Sequence, residues 1–390
     1  MKPVFILNAK RTPGGKAPRG QFSTVRPDEL AAIAIKAVLD GTGIDPAQID
    51  DVIFGCAFPE AEQGMNIARV AALRAGIPVQ VPAMTINRFC ASGLQAVAAA
   101  AERIAAGLAD CIIAGGTESM SLIPMGGHKF SANPNLVSDW PECYAAMGIT
   151  AEILAKRYAI SRTDQDLFAV ESHHRASEAM AAGRFAAEIV PVPVRQVSFI
   201  DGDICRESRI VVQDEGVRPQ TSIDNLTALK PVFKIDGTVT AGNASQMTDG
   251  AAALLVASEA FLKQWKCDPV ARFASYAVCG VAPEVMGIGP VEAVPVALQR
   301  AGLKMQDLDV IELNEAFAVQ ALAVIRDLDF DPLKVNVNGG AIALGHPLGC
   351  TGAKLSTTLL AEMGRRRTRY GMVTMCVGGG MGAAGVFERF

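Results

Sequence analysis

The sequence contains two copies of one local arrangement, in which a glycine-containing turn is followed by a helix, an apolar strand and a glycine cluster. The first copy runs from the turn at Cys90 to Gly115-Gly116, and the second from the turn at Gly345 to Gly378-Gly-Gly380. The predicted helices and strands of the two copies are residues 94–106, 110–114, 353–363 and 370–375. Two copies are weak evidence of a repeat, and chance similarity is the alternative. If the two copies are related, the chain folds as a duplicated α/β unit.

Short β-rich runs alternate with longer helical patterns at the start of the chain. The predicted strands and helices there are, in order, residues 4–7, 27–39, 51–55, 65–75 and 83–86. This alternation is typical of an α/β fold. The same pattern resumes over residues 249–256, and a second half begins near Arg272.

The middle of the chain differs from both halves. It carries Pro, Gly and polar residues near 124–135, followed by amphipathic helical patterns. Within it, Thr163 is a predicted N-cap and Gly183 a predicted stop of one helix. We therefore predict three domains: an N-terminal half (1–118 and 248–270), an inserted loop domain (119–247) and a C-terminal half (271–390).

Composition excludes several classes of protein. Half of the residues are hydrophobic and 19% are charged, which is typical of a folded chain with a large core. The formal charge is only −4 and no basic stripe is present, so we expect no nucleic-acid partner. No apolar run approaches the ~20 residues that cross a bilayer, so we expect no membrane insertion. Nine cysteines without a CxxC pair and the lack of an export signal favour a cytoplasmic location.

Cys90 stands where a strand leads into a helix. The unpaired amides and the positive dipole end of that helix would favour its thiolate, which is the nucleophilic form. Free cysteines are more often small buried hydrophobes, so position alone leaves both interpretations open.

His346 is one of only four histidines and lies in the rigid turn Gly345-His-Pro347. Such a turn would make the imidazole project from the backbone. A loop histidine could instead cap a carbonyl group. The other three histidines are expected to be structural. His128 is predicted in a loop, and His173 and His174 on the exposed side of an amphipathic helix.

Cys376 ends an apolar strand and precedes Gly378-Gly-Gly380, whose accessible amides could bind an oxyanion. The glycines could instead permit tight packing of sheet against helix. Asn314 follows a strand-like run, and ligands bind at strand ends in open α/β sheets. A simple N-cap role is the alternative for Asn314. Cys350 is interpreted as a packing residue.

Five segments together resemble the thiolase family in their order and approximate spacing. They are Asn87-Arg-Phe-Cys-Ala-Ser-Gly-Leu94, Ala241-Gly-Asn-Ala-Ser245, Asn314-Glu-Ala-Phe317, Gly345-His-Pro347 and Cys376-Val-Gly-Gly-Gly-Met-Gly382. The resemblance spans practically the whole chain. It implies a thiolase-like duplicated α/β fold of five layers, αβαβα, with an inserted loop domain that covers the coenzyme.

The resemblance also implies a role for each residue of the site. Cys90 carries the acyl group as a thioester, His346 accepts the thiol proton, and Cys376 is the acid or base at the α-carbon of the substrate. One oxyanion hole is implied at His346 and a water held by Asn314. The other is implied at the backbone amides of Cys90 and Gly378.

Coenzyme A is implied as a substrate, with no metal and no permanently bound cofactor. Its pantetheine arm is expected near Ser245, Ala244, Phe317 and Met147, and its nucleotide end near Arg218. The local pattern at Arg218 is unspecific, and a solvated surface arginine is the alternative. By analogy with the family, a homodimer or homotetramer is expected.

Thiolases either cleave 3-ketoacyl-CoA or condense two acetyl-CoA molecules to acetoacetyl-CoA. Biosynthetic members generally carry a histidine before the methionine at the position of Met147, where this chain has Ala146. Cleavage of 3-ketoacyl-CoA, as in fatty acid β-oxidation, is therefore expected, and acetoacetyl-CoA formation is the runner-up. Two remote alternatives are a decarboxylating condensing enzyme, which has a second histidine where Cys376 stands, and a non-catalytic CoA or lipid carrier.

Overall fold

The computed structural model of the chain describes residues 2–200 and 203–390. Its strands are β1 (Val4–Arg11), β2 (Gly15–Lys16), β3 (Asp51–Gly55), β4 (Ala83–Ile86), β5 (Cys111–Glu118), β6 (Val192–Ile200), β7 (Asp203–Val211), β8 (Thr248–Ser258), β9 (Ala271–Gly280), β10 (Val310–Leu313), β11 (Tyr370–Val377) and β12 (Met381–Glu388). Its α-helices are α1 (Pro27–Asp40), α2 (Ile67–Arg74), α3 (Ser92–Ala105), α4 (Pro134–Asp139), α5 (Met147–Arg157), α6 (Arg162–Ala181), α7 (Ile223–Thr227), α8 (Glu259–Trp265), α9 (Gly289–Ala301), α10 (Ala318–Asp327), α11 (Ala341–Leu344) and α12 (Leu348–Arg366).

One mixed sheet runs through the molecule. Its strand order is β10-β11-β12-β9-β1-β8-β5-β3-β4, and β2 pairs with β8. In the first half β3 and β5 are parallel, and β8 is antiparallel to both β5 and β1. In the second half β10 and β11 are parallel, and β12 is antiparallel to both β11 and β9. The same succession of strand directions in both halves confirms the predicted duplication.

The two halves meet at β1 and β9, and two helices lie together at the centre. Helices α3 and α12 pack against each other and contact β5 and β8 together, while α12 also contacts β11. On the outside, α1 covers β8 and α9 covers β9 and β12. The result is the predicted layered α/β architecture. Among the described residues, no helix is both long and apolar enough to cross a membrane.

The central helices approach each other through glycines. A Cβ atom added at Gly93 would lie 2.6 Å from the backbone nitrogen of Ala353, and one added at Gly352 would lie 2.2 Å from that of Leu94. Real Cβ atoms do not come this close to backbone, so only glycine fits at either position.

Several predicted boundaries needed correction. Helix α12 begins at Leu348, five residues before the predicted start, and β5 continues through its glycine pair to Glu118. Helix α6 begins at Arg162 because its N-cap is Ser161 and not Thr163. The Ser161 hydroxyl accepts a hydrogen bond from the Asp164 amide while the Asp164 carboxylate accepts one from the Ser161 amide, so this capping box satisfies two backbone donors.

Between β5 and β8 the chain leaves the main sheet, and a buried ionic cluster ties this excursion to β1. The guanidinium of Arg11 is fully buried and donates to Glu188 at 2.6 Å and to both carboxylate oxygens of Asp214 at 2.8 and 2.9 Å. Burial alone would raise the pKa of Asp214, but Arg11, the Lys354 ammonium and the Gly14 amide together lower that pKa. The cluster therefore holds the start of the chain against residues about 200 positions away.

Replacement of Arg11 by leucine should destabilise the fold strongly. It would leave two buried carboxylates without their counter-ion, and removing one partner of a buried ion pair costs ~3–5 kcal/mol. Urea unfolding followed by far-ultraviolet circular dichroism measures the change. The matched control is Arg74→Leu, which removes a surface ion pair with Glu29 and should leave unfolding close to wild type. Equal unfolding of both variants would contradict the structural role of Arg11.

Candidate active site

A cavity of about 540 Å³ lies where the two halves and the segment between β5 and β8 meet. The side chains of Cys90, His346 and Cys376 all line it. These residues come from three distant parts of the sequence, so their convergence is a property of the tertiary structure. The sequence had predicted that they would share one site.

Cys90 lies in a 3₁₀ turn immediately before α3. The hydroxyl of Ser92 shapes this turn, because it accepts from the Arg88 amide at 2.8 Å and donates to the Phe89 carbonyl at 2.7 Å. Burial raises the pKa of the Cys90 thiol to about 11, although the amides of Gly378 and of Cys90 itself lower it. The helix start was expected to favour the thiolate, but desolvation outweighs that effect, so the thiol needs a base.

His346 is placed by the glycine turn before it. Gly345 has φ +84°, and an added Cβ would lie 2.2 Å from the Thr248 hydroxyl oxygen. That same oxygen accepts from the His346 amide at 3.1 Å. The imidazole is 5% exposed and faces the cavity. The turn therefore fixes the ring at the site and leaves little freedom for the backbone.

Hydrogen bonds assign the tautomer of His346. Its Nδ1 lies 2.6 Å from the Thr351 hydroxyl, which itself donates to the Pro347 carbonyl at 3.1 Å. A hydroxyl has one proton to donate, so this network makes Thr351 the acceptor of an Nδ1–H proton. Nε2 then keeps its lone pair. Burial, and after it the Lys354 ammonium, lower the pKa of His346 to about 3, so the ring is neutral and can act as a base.

Cys376 is fully buried in β11, one residue before the end of that strand. Burial raises the pKa of its thiol above the usual range, and proximity to Cys90 raises it further. The glycines that follow turn the chain into β12, with φ +79° at Gly379 and +85° at Gly380. This turn presents the Gly378 amide to the Cys90 sulfur.

Asn314 directly follows β10 and is fully buried. Its Nδ2 lies 3.3 Å from Nε2 of His346, whereas its Oδ1 has no partner among the described residues. Helix α10 begins only at Ala318, with Phe317 as its N-cap residue, so the N-cap alternative for Asn314 is wrong. Asn314 instead faces the imidazole of the site.

Glu118, at the end of β5, was missed in the sequence. Its buried carboxylate accepts from the amides of Ala57 at 2.8 Å and Gly349 at 2.7 Å, and from the Gln63 side chain at 2.7 Å. Burial raises its pKa, which the four hydrogen-bond donors around it oppose. Glu118 thus links two loops of the first half to the start of α12. The only signal was an acidic residue at the end of an apolar strand.

The five residues expected at coenzyme A also line the cavity: Met147, Arg218, Ala244, Ser245 and Phe317. Ala244 pairs with Phe317 in an isolated bridge, and the Ser245 amide donates to the Ala316 carbonyl at 3.0 Å. Arg218 lines the cavity and is exposed to solvent.

His173 lies in the interior, and its expected position on the exposed side of α6 is wrong. Its side chain is 2% exposed, and Nδ1 accepts from the Arg218 amide at 3.2 Å. Burial, and then Arg218, lower its pKa to about 4, so it is a neutral packing residue. His174 does face solvent, where it lies 3.5 Å from Glu178.

Comparisons with known proteins agree with this architecture. The chain matches the thiolase N-terminal domain over residues 4–260 and the thiolase C-terminal domain over residues 267–389. It is 56% identical to a 3-ketoacyl-CoA thiolase of Bacillus subtilis (strain 168), with all of both chains covered. It is 46% identical to the peroxisomal 3-ketoacyl-CoA thiolase 5 of Arabidopsis thaliana, with 99% of this chain and 85% of the relative covered.

A solved structure has the same fold. Human mitochondrial 3-ketoacyl-CoA thiolase superimposes with a TM-score of 0.91 at 40% identity, covering 100% of this chain and 99% of the other. Fold and matches together define an acyltransferase. The chain belongs to the thiolase family.

Replacement of Thr351 by valine should weaken the base at Cys90. The Nδ1–H group would lose its buried acceptor, which costs ~1–3 kcal/mol and lets the tautomer protonated on Nε2 compete. We expect alkylation of Cys90 by iodoacetamide, followed by peptide mass spectrometry, to slow roughly tenfold. Thr351→Ser keeps the hydroxyl and should react like wild type. An unchanged rate in the valine variant would refute the assigned tautomer.

Proposed function

We propose that the chain is a 3-ketoacyl-CoA thiolase that cleaves its substrate with free CoA through an acyl group carried on Cys90. The observation that carries this proposal is the single cavity shared by two thiols and a neutral imidazole, Cys90, Cys376 and His346. The full-length relatives that carry this name support the same substrate class.

In the first half-reaction His346 takes the Cys90 proton at Nε2, and the sulfur attacks the ketone carbon of the substrate. The bond between the α-carbon and that carbon then breaks, which leaves an acyl thioester on Cys90 and an enolate of acetyl-CoA. The Cys376 thiol protonates the enolate carbon, and acetyl-CoA departs. The raised pKa of Cys376 suits this step, because its thiol is protonated when substrate binds.

In the second half-reaction the Cys376 thiolate takes the proton of a free CoA thiol. The CoA sulfur attacks the thioester carbonyl, and the shortened acyl-CoA forms as the bond to Cys90 breaks. The Cys90 sulfur recovers its proton from the His346 imidazolium. The two half-reactions together therefore return the three side chains to the protonation states of the resting site.

Each step develops negative charge on an oxygen atom. We assign the tetrahedral intermediate on Cys90 to the amides of Cys90 and Gly378, because the Gly378 amide already faces the sulfur. We assign the enolate oxygen to protonated His346 and to a water bound by Asn314, whose Oδ1 lacks a partner among the described residues. Loss of one such donor typically costs about 3 kcal/mol in the barrier.

Coenzyme A would enter along the apolar wall of the same cavity. Met147 and Phe317 flank the path of the pantetheine arm, Ala244 and Ser245 present backbone to it, and exposed Arg218 meets the nucleotide phosphates at the mouth. A charged arginine at the surface and apolar residues inside match the polarity of CoA from one end to the other.

The degradative direction is favoured over acetoacetyl-CoA synthesis. Ala146 stands where biosynthetic thiolases generally have a histidine, and a smaller side chain there leaves room for a longer acyl chain. Biosynthetic acetyl-CoA acetyltransferase activity remains the second candidate, because the chemistry is one reversible reaction. A decarboxylating condensing enzyme would need a second histidine where Cys376 lies.

A homodimer built on the β4 edge is part of the proposal. Among the described strands β4 pairs only with β3, and beside it lie the exposed apolar side chains Met65, Val70, Leu73 and Val79. An unpaired strand next to apolar side chains favours association.

A cytoplasmic location in β-oxidation is proposed from the bacterial relatives, and recovery outside the soluble cell fraction would contradict it.

Turnover tests the proposed function directly. The protein is incubated with free CoA and either acetoacetyl-CoA or a long-chain 3-ketoacyl-CoA, and loss of the ketoacyl absorbance is followed. We expect both to be cleaved, with the higher kcat/KM for the longer chain. Preference for acetoacetyl-CoA would favour the second candidate, and turnover of neither would remove the enzymatic proposal.

Acylation tests the assignment of the nucleophile. After incubation with acetyl-CoA, mass spectrometry of peptides should find the acetyl group on Cys90, because its sulfur faces the Gly378 amide and shares the cavity with His346. Cys350→Ala, which alters a buried cysteine outside the proposed machinery, should be acetylated equally. An acetyl group on Cys376 would reverse the assignment of the two thiols.

Sedimentation tests the dimer. Met65→Glu places a charge on a side chain that is 97% exposed beside the β4 edge, and it should shift the protein towards the monomer. Leu333→Glu is the matched control, because Leu333 is 76% exposed in the loop after α10, away from that edge. A wild-type monomer, or equal dissociation of both variants, would refute this interface.

A further inference from the structure

Behind the turn that carries His346 lies a lysine that the proposed mechanism does not use. Lys354 belongs to the second turn of α12 and is only 4% exposed. Its Nζ donates to the carbonyl oxygens of Leu344 at 2.5 Å and Gly345 at 3.0 Å. These are the two residues that directly precede His346.

The two carbonyl groups need a donor from outside their own segment. Leu344 ends α11, a helix of a single turn, and the last carbonyls of a helix have no partner within it. Gly345 then reverses the chain at φ +84°. An ammonium at this helix end satisfies both oxygens and also suits the negative end of the helix dipole. Without it, two buried carbonyls would lie beside a strained turn.

The surrounding charges keep this lysine protonated at neutral pH. The titratable groups that act on it come from several elements: Arg11 on β1, Glu188 after α6, Asp214 after β7, Glu312 on β10 and Cys350 on α12. Burial lowers the pKa of Lys354 to about 8, while Asp214 and Glu188 oppose that shift and Arg11 adds to it. The ammonium is therefore mostly charged at pH 7 and loses its proton as the pH rises through 8.

Lys354 also acts on His346 through its charge. Apart from burial, its ammonium is the cause that lowers the pKa of the imidazole. A positive charge behind the ring disfavours the imidazolium and so lowers the basicity of the ring, which means that Lys354 can assist the base only through the hydrogen bonds that fix the backbone before His346. Lys354 thus fixes the backbone before His346, while burial is the main reason that the ring is neutral.

We propose that Lys354 is a positioning residue, whose ammonium holds the Leu344 and Gly345 carbonyls and thereby fixes the His346 ring as the base for Cys90. This inference rests on the proposed function, since it gives His346 the role of base. It adds a residue outside the cavity whose charge the reaction requires.

The first test compares Lys354→Met with Lys354→Arg. The methionine variant keeps the length of the side chain without donors, and a small displacement of a reacting group can cost up to 10²-fold in rate. We expect its kcat to fall at least tenfold, with KM for CoA within about twofold. The arginine variant keeps charge and donors and should recover most of the loss. Ser356→Ala, on the same helix, removes a hydroxyl that donates to the Gly352 carbonyl; it is the control and should match wild type.

The second test is the pH profile of kcat. In wild type, activity should fall above pH 8 as Lys354 loses its proton, whereas a guanidinium stays charged, so the fall in Lys354→Arg should move upward by about one pH unit or more. A fall at the same pH in both proteins overturns the proposal, even where Lys354→Met does not fold. Wild-type kcat in a folded Lys354→Met overturns it as well.

Cys90 alkylation separates this inference from the proposed function. If the wild-type protein cleaves no ketoacyl-CoA, the function is wrong, but the rate of iodoacetamide reaction still reports the base at Cys90. That rate should fall about tenfold in Lys354→Met and recover in Lys354→Arg. Equal alkylation rates in wild type and Lys354→Met contradict the positioning role, whichever substrate the enzyme uses.

Discussion

The close contact between α3 and α12 is the constraint on which the site depends. Gly93 and Gly352 let the two helix backbones approach to distances that no Cβ would allow. Cys90 lies just before α3 and His346 just before α12, so this contact brings the nucleophile and its base together. The duplicated fold thus creates its site where equivalent turns of the two halves meet, and Cys376 joins them from the strand after α12.

Burial sets the chemistry of that site. Desolvation raises the pKa of both thiols and lowers that of the imidazole, so the resting side chains are neutral and no ion pair forms in advance. Charge then appears only when substrate is present, next to amides that are already oriented. Such preorganised donors stabilise a transition state without having to rearrange. Buried carboxylate and ammonium groups behind the cavity, at Glu118 and Lys354, hold the loops that make this possible.

Local sequence patterns predicted the bounds of many elements well. They failed where contacts with distant residues set the start of a helix or the burial of a side chain. The strands β3 and β4 have the predicted bounds, because turn residues mark both ends of each apolar run. The start of α12 was placed too late, because its first five residues include two glycines and its Gly349 amide is held by Glu118, more than 200 residues away. His173 was expected at the surface, but the segment around Arg218 covers it. Neither contact has a signature in the local sequence.

The sequence by itself determined the α/β class, the duplication, the family and the reactive residue types, because periodicity, turn residues and motif order are local properties of the chain. Only the tertiary structure decided which protons those residues hold. The tautomer of His346 depends on Thr351 and Asn314, and its charge on burial and Lys354. Such effects depend on distance and on exclusion of water, and both arise only once separate segments have packed together.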